Sequence, residues 1–265
     1  FLDLKKSIVC GKNTIREYDK KIPKDLTAEE ILIRSGNIGS VRIGQKIGIE
    51  KFKSFLKKIN VINQIEFDID EMGVPIPFKW GKCKLATISF GHGITTTPLQ
   101  LAKGYAIISN GGFEINPTII RKNKKRLIKY KKRIIKENVS KEINPILRKI
   151  VTSKEGTANL ADIKGYEIGG KTGTAEKIIL GKYSSKKKIN TFASVFPISN
   201  PKFVLVVILD EPQINTEYIY NYRDGSNFKL KGSPRNTSGW TSVEAAGHIV
   251  EKIGPILATK YLEIN

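Results

Sequence analysis

Residues 171–174 read Lys-Thr-Gly-Thr and lie in a segment whose pattern suits a β-strand. On a strand, the side chains of Thr172 and Thr174 point to the same side, so two hydroxyls can face one carboxylate. Lys171 adds positive charge nearby, and hydrogen bonds between charged groups are stronger than those between neutral ones. Gly173 has no side chain and lets a peptide backbone approach closely. The segment therefore predicts a site that binds a carboxylate.

A second short motif, Ser-Gly-Asn at residues 35–37, supplies a hydroxyl from Ser35 and an amide from Asn37. Together with the ammonium group of Lys171, these are the groups needed for acyl transfer through a serine. Each motif is short and occurs often by chance. The interpretation therefore depends on their order, spacing and flanking residues taken together.

Residues 165–172 also satisfy the spacing of a P-loop, and the apolar run 203–209 with Asp210 and Glu211 imitates the strand that holds a nucleotide's magnesium ion. A P-loop needs a strand before its glycines and a helix after its lysine, because helix N–H groups surround the phosphates. The residues before the first glycine do not resemble a strand, and those after Thr172 do not begin a helix. The sequence therefore disfavours nucleotide hydrolysis.

Helices predominate in the first part of the chain, where capping residues and apolar spacing mark them. Thr27 and Glu30 form a capping box, and Thr97 precedes Pro98 and Gln100 in the same way. The motif at 35–37 then lies at a break between two helices. The predicted helices cover 27–35, 38–47, 50–58 and 97–109, with one that starts at Ser140 and a closing helix over 242–253.

Strands predominate later, over 168–178, 191–196 and 203–209. The last of these is apolar on both faces, which predicts a strand in the interior of a sheet. Helices first and consecutive strands later indicate an α+β fold, with helices packed on a largely antiparallel sheet.

Charge is the unusual feature of the composition, because 46 Lys and Arg against 25 Asp and Glu give a net charge of +21. Such a balance fits an anionic partner, such as nucleic acid, an acidic membrane surface or a cell-wall polymer, and it fits an ordinary solvated surface as well. The basic segment 121–136 carries the same ambiguity between nucleic-acid binding and a solvated two-stranded excursion, and we favour the latter.

Cys10 and Cys83 fix neither a disulfide scaffold nor a redox compartment, and no metal-ligating set is evident.

Four segments carry a combined pattern: residues 26–39 (LTAEEILIRSGNIG), 89–102 (SFGHGITTTPLQLA), 155–158 (EGTA) and 169–177 (GGKTGTAEK). This combination resembles the class B penicillin-binding proteins, the peptidoglycan D,D-transpeptidases, and most closely those of the cell-division type. The resemblance covers nearly the whole chain. It implies the penicillin-binding and serine β-lactamase-like α+β fold, with a helical subdomain, in which residues 1–265 form a single transpeptidase domain that is incomplete at its N-terminus.

The resemblance also implies a role for each motif residue. Ser35 matches the serine that relays a proton to the departing D-alanine, and Asn37 matches the amide that holds the substrate's peptide group. Lys171 matches the lysine that orients this serine and favours the terminal carboxylate, which the hydroxyls of Thr172 and Thr174 bind. The backbone N–H of Thr174 would form half of an oxyanion hole.

One family motif has no counterpart: the Ser-x-x-Lys that holds the nucleophilic serine and precedes Ser-x-Asn is absent from residues 1–34. We therefore expect the nucleophile to lie outside this chain, which begins at Phe1 and has Met72 as its sole methionine. Other serines match the letters of the motif but follow Ser35 in order, and we reject them. They are Ser54 with Lys57, and Ser184 and Ser185 with Lys187 and Lys188. The turn at Gly36 should be loose, because glycine restricts the backbone least.

The family's setting supplies the remaining expectations. The resemblance implies stem peptides ending in D-alanyl-D-alanine as substrates, β-lactams as inhibitors, and a septal glycan polymerase and division proteins as partners, with no cofactor, no metal and no nucleic acid. It implies the periplasmic face of the bacterial inner membrane, with an anchor outside this chain.

The residues themselves give the remaining expectations. His92 is expected to shape its loop, His248 to be structural, and Asp210 and Glu211 to be surface or turn acids. Two alternatives stay open: a penicillin sensor or scaffold without turnover, and a basic nucleic-acid-binding module.

Overall fold

The structure is a computed structural model that describes residues 3–11, 13–70, 72–121, 132–180, 182–232 and 235–262. The chain divides into two compact units, which we call the N-terminal unit (Phe1–Ile146) and the C-terminal unit (Leu147–Asn265). The expectation that both belong to one transpeptidase domain stays a prediction.

The N-terminal unit is mainly helical. It begins with an antiparallel hairpin of two short strands, β1 (Ile8–Cys10) and β2 (Asn13–Ile15). Five helices follow: α1 (Ala28–Arg34), α2 (Asn37–Ile47), α3 (Ile49–Lys58), α4 (Lys82–Ser89) and α5 (Pro98–Ser109). Both predicted capping boxes are confirmed. The hydroxyl oxygens of Thr27 and Thr97 each accept the backbone N–H of the residue three positions later. The backbone N–H groups of the two threonines donate in turn to the side-chain oxygens of Glu30 and Gln100.

The core of the N-terminal unit joins the hairpin to the helices that surround the Ser-Gly-Asn motif. Leu4, Ile15 and Ile22 pack with Ile31 of α1 and Ile38 of α2, all nearly inaccessible to water. A disulfide between Cys10 of β1 and Cys83 of α4 closes the same region, with the two Cα atoms 5.3 Å apart. Sequence reasoning left the pairing of these cysteines undecided.

The helix predicted to start at Ser140 is α6 (Glu137–Thr152), which begins three residues earlier. Ser140 is not a cap: its buried hydroxyl donates to the carbonyl of Ile108 and accepts the N–H of Gly111, at the end of α5. The prediction was wrong because a serine at helical spacing can bond to another element instead of its own helix.

The C-terminal unit contains an antiparallel sheet of order β3-β4-β5, formed by Gly169–Ile179, Lys182–Phe196 and Phe203–Asp210. Among the described residues β5 pairs with β4 alone, so its predicted interior place is wrong, and β4 is the central strand. Apolar residues on both sides of a strand indicate that both faces of the sheet pack against other residues. They do not indicate whether another strand pairs with each edge. The middle strand also begins nine residues earlier than predicted, because residues 182–184 and 188–190 pair with the end of β3 on either side of an irregularity in the register.

A final helix, α7 (Ser242–Leu257), packs against β4 and β5 through Val243, Ala246 and Val250. Two elements come between β5 and α7 along the chain. They are a short hairpin, β6 (Ile219–Asn221) with β7 (Lys229–Lys231), and a 3₁₀ turn at Ser238–Trp240. These elements confirm an α+β fold with an antiparallel sheet.

Candidate functional site

Ser35 lies between α1 and α2 in a left-handed conformation, with φ 58° and ψ 42°. This conformation costs a residue with a side chain about 1–2 kcal/mol. The N–H groups of Ser35 and Gly36 close the end of α1 by bonding to Leu32 and Ile31, at 3.2 and 2.9 Å. The predicted break between the two helices is therefore present, and the Ser35 side chain is exposed.

Asn37 is the first residue of α2, and residues 16 and 17 hold it in place. Its backbone N–H donates to one carboxylate oxygen of Glu17 at 2.7 Å, and the N–H of Ile38 donates to the other, also at 2.7 Å. The Nδ2 of Asn37 donates to the carbonyl of Arg16 at 3.0 Å. The side-chain amide is thereby oriented, with Oδ1 as its remaining acceptor.

The turn is tighter than expected from its glycine. Gly36 is buried, and a Cβ added there would lie 3.1 Å from Cδ1 of Ile22 and 3.6 Å from a carboxylate oxygen of Glu17. Burial raises the pKa of the Glu17 carboxyl, and the nearby charge of Asp19 adds to this, while the N–H bonds from α2 oppose it. Glu17 was not among the predicted site residues, because nothing local to it signals a partner 20 positions away.

Residues 171–174 lie on β3, an edge strand of the sheet among the described residues, and pair with residues 190–193 of β4. The preceding glycine fits the sheet tightly, because a Cβ on Gly170 would lie 2.6 Å from the carbonyl oxygen of Ala193. Gly173 is exposed and has nothing closer to its Cβ position than Thr191 at 3.9 Å. The space that a peptide backbone would need is therefore open at Gly173.

The hydroxyls of Thr172 and Thr174 each have protein partners that fix their orientation. Thr172 Oγ1 lies 2.7 Å from the hydroxyl of Thr157 and accepts from Lys171 Nζ at 3.3 Å. Thr174 Oγ1 accepts the backbone N–H of Ser238 at 2.9 Å. Each hydroxyl thus accepts one bond from a protein donor, and in the Thr157–Thr172 pair either hydroxyl can be the donor. Thr157 and Ser238 had not been assigned these roles from the sequence.

Lys171 is packed into the C-terminal unit rather than extended into water. Its Nζ donates to the carbonyl of Thr172 at 3.1 Å as well as to the hydroxyl of that residue. Burial lowers the pKa of Lys171 to about 8, so its charge can change within the neutral to mildly alkaline range. The structure thus places the ammonium beside one of the two threonine hydroxyls, as the motif predicts.

The structure assigns the other candidates to ordinary positions. Ser54 and Lys57 are exposed on α3. Ser184 lies on β4, where its hydroxyl accepts the N–H of Lys187 at 3.2 Å. His92 lies in the loop before α5, where its backbone N–H donates to the carbonyl of Thr87 at 3.0 Å. Its expected role in shaping this loop stays a prediction.

The other predicted structural residues form ion pairs and hydrogen bonds in the C-terminal unit. His248 bonds to Tyr218 and lies 3.1 Å from Glu244, whose carboxylate also pairs with the buried Arg223 at 2.8 Å. Asp210 and Glu211 at the end of β5 both pair with Lys177.

A segment predicted to be basic and solvated, 121–136, falls largely outside the described residues. Its described end includes Arg133, which forms a single β-bridge with Phe113. Within the ranges that the structure describes, no three His, Cys, Asp or Glu side chains are grouped as metal ligands would be. No described helix has both the length and the apolarity to span a bilayer.

Comparison with known proteins identifies the family. A model described as the penicillin-binding protein transpeptidase domain matches residues 3–227. The chain belongs to this family. Relatives with similar sequences are the probable peptidoglycan D,D-transpeptidase FtsI of Caulobacter vibrioides, 29% identical over 97% of this chain, and FtsI of Buchnera aphidicola, 33% identical over 80%. The chain spans 42% and 37% of the lengths of these two relatives.

Solved structures show the same fold. The apo transpeptidase domain of penicillin-binding protein 3 from Burkholderia pseudomallei aligns with a TM-score of 0.77 at 24% identity, over 97% of this chain and 70% of that one. Penicillin-binding protein 3 from Mycobacterium tuberculosis, complexed with ampicillin, aligns with a TM-score of 0.75 at 22% identity, over 94% and 56%. The predicted class B penicillin-binding transpeptidase fold is thereby confirmed.

Proposed function

We propose that this chain is a part of the transpeptidase domain of a peptidoglycan D,D-transpeptidase that works through a serine acyl-enzyme on stem peptides ending in D-alanyl-D-alanine. The observation that carries the proposal is the group of donors on the edge of β3. The hydroxyls of Thr172 and Thr174 each accept a bond from a protein donor, and the ammonium of Lys171 lies beside Thr172. This arrangement suits the terminal carboxylate of a peptide or of a penicillin.

The proposed binding step follows from the role that the family motifs give to each group. The carboxylate binds the hydroxyls of Thr172 and Thr174, and the positive charge of Lys171 favours it. The exposed Gly173 leaves room for the peptide along the strand. Asn37 accepts the substrate's N–H through Oδ1, while one of its two Nδ2 protons is donated to the carbonyl of Arg16.

The proposed chemical step begins when the nucleophilic serine, outside this chain, attacks the carbonyl carbon of the penultimate D-alanine. The backbone N–H of Thr174 supplies one donor to the oxyanion, a type of contact worth about 10²–10³ in rate. Ser35 relays the proton that the nucleophilic serine gives up to the nitrogen of the departing D-alanine, as the C–N bond breaks. The acyl-enzyme is then attacked by the amine of a second stem peptide, which releases the serine and forms the cross-link.

The proposed setting is septal cell-wall synthesis at the periplasmic face of the inner membrane. We propose that a segment outside this chain anchors the protein and that a septal glycan polymerase and division proteins are its partners. The names of the Caulobacter and Buchnera relatives support the activity, and the disulfide between Cys10 and Cys83 fits an oxidising compartment.

Mapping of the penicillin adduct tests the proposal. A longer protein that carries this chain is incubated with benzylpenicillin, digested and analysed by mass spectrometry, and a stem pentapeptide is supplied separately to measure release of D-alanine. We expect one adduct on a serine outside residues 1–265, and release of D-alanine. The chain as given should acquire no adduct.

Each other outcome has a defined meaning. An adduct on Ser54, Ser184 or Ser185 would show that the nucleophile was misassigned. An adduct without release of D-alanine would favour a sensor or scaffold over an enzyme. If the protein acquires no adduct but binds oligonucleotides with a steep dependence on salt, the nucleic-acid alternative is correct.

A further inference from the structure

The Glu17 carboxylate caps the N-terminus of helix α2. Helix α2 begins at Asn37, and its N-cap position is Gly36, which has no side chain to accept the N–H groups of the first turn. Glu17 accepts two of them, one on each carboxylate oxygen, at 2.7 Å. A negative charge at a helix N-terminus also complements the helix dipole.

Glu17 and Arg16 act on the same short segment that holds the proposed catalytic groups. Three donors of Asn37 and Ile38 bond to residues 16 and 17: two backbone N–H groups and the Nδ2 of Asn37. These bonds fix where α2 begins, the direction of the Asn37 amide, and the end of the left-handed turn at Ser35.

We propose that Glu17 is a positioning residue of the transpeptidase, which holds Asn37 and Ser35 in their working geometry by capping α2 from 20 residues away. This inference rests on the proposed function. It adds to that function a residue outside the Ser-x-x-Lys, Ser-x-Asn and Lys-Thr-Gly-Thr motifs. It also predicts that a carboxylate supplied from another position can replace that of Glu17.

The environment of Glu17 makes its ionised form costly. Burial raises the pKa of Glu17, with Asp19 as the facing acidic group, so the folded protein binds the proton more tightly than the unfolded chain. The stability that this group contributes is therefore present at acid pH and is lost as pH rises through its raised pKa. At neutral pH the burial of the ionised carboxylate therefore lowers the stability of the folded protein. The ionised form is nevertheless the one that has an acceptor for each of the two N–H groups.

The test measures the second-order rate constant of acylation by a fluorescent penicillin, with the longer protein that carries this chain. Glu17→Gln and Glu17→Ala should each lower this constant about tenfold or more, since a hydrogen bond to a charged group is lost. Glu50→Gln is the control, because Glu50 is also a glutamate in the first turn of a helix but is exposed on α3. The control should acylate at the wild-type rate.

A second substitution distinguishes positioning from general stability. In Glu17→Ala the space beside Gly36 is vacated, and Gly36→Asp would place a carboxylate at the N-cap of α2, with Cδ1 of Ile22 moving by a few tenths of an ångström. The double variant should recover most of the lost rate. Melting temperatures of the Gln variant and the wild type should agree within about 3 °C.

A measurement on the chain itself separates failure of this inference from failure of the proposed function. The amide proton shifts of Asn37 and Ile38 should titrate together with a pKa above 4.5, and Glu17→Gln should abolish that titration. Amide shifts that do not titrate would overturn the cap, and so would acylation of both Glu17 variants at the wild-type rate or a double variant that recovers nothing. If the wild-type protein is not acylated while its amides titrate, the cap stands and the proposed function fails.

Discussion

Individual residues at the proposed carboxylate site owe their chemistry to neighbours that no motif specifies. Thr172 is oriented by Thr157, and Thr174 by the backbone of Ser238, 64 residues further along the chain. Lys171 is held against Thr172 and is shielded from water, which lowers its pKa to about 8. The motif therefore defines which groups are present, and its surroundings define their protonation and direction.

The pKa of Lys171 predicts how capture of penicillin depends on pH. The ammonium form should be needed to attract the carboxylate, so the second-order acylation constant should be flat below about 8 and then fall by about tenfold per pH unit. Rates measured from pH 6 to 10 check this. A constant that stays flat to pH 10 would contradict the role given to Lys171.

A change in stability would not explain this fall. The folded pKa of Lys171 is below that of the unfolded chain, so between about 8 and 10.5 the unfolded chain binds more protons. The contribution of this residue to stability therefore rises with pH over the window in which capture falls. Lys171→Arg, which keeps its charge throughout, should show no fall between pH 8 and 10.

At the scale of elements, the hairpin β1–β2 leads directly into residues 16 and 17. Glu17 caps α2, and the carbonyl of Arg16 accepts from the side chain of Asn37. The disulfide between Cys10 and Cys83 ties this hairpin to α4, and α4 packs against α2. A Cβ on Gly44 of α2 would lie 1.9 Å from the hydroxyl of Ser89 of α4, so these two helices approach closely. The hairpin, α2 and α4 thus support the Ser35 turn together.

Reduction of the disulfide should destabilise the N-terminal unit. The cysteines are 73 residues apart, and the chain-entropy model for a loop of that length gives about 4 kcal/mol. Urea unfolding with and without dithiothreitol, followed by fluorescence, measures the difference. A variant with Cys10→Ser and Cys83→Ser should be as unstable as the reduced protein and insensitive to dithiothreitol. Equal midpoints for the oxidised and reduced wild type would contradict this expectation.

The elements predicted correctly from the sequence are those defined by local interactions. Thr27 with Glu30 and Thr97 with Gln100 bond across three residues, so the sequence alone locates the starts of α1 and α5. The cap of α2 could not be predicted in this way, because its acceptor is Glu17. The pairing of strands shows the same limit: the apolar pattern located β5 but not its place at the edge among described strands.

At the scale of the whole molecule, the net charge of +21 selected no partner, whereas the combination of four short segments identified the family. Both groups of proposed site residues occupy the local positions that their motifs predicted, one in each compact unit. The role proposed for each group rests on the family and on the chemistry of that group.

The most direct test of the central claim is labelling of the longer protein with a fluorescent penicillin before and after substitution of Lys171. Lys202→Ala is a matched control, because Lys202 is exposed in the same unit. We predict that the wild type and Lys202→Ala are labelled equally and that Lys171→Ala loses its labelling while it keeps its melting temperature. Undiminished labelling of Lys171→Ala would contradict the account.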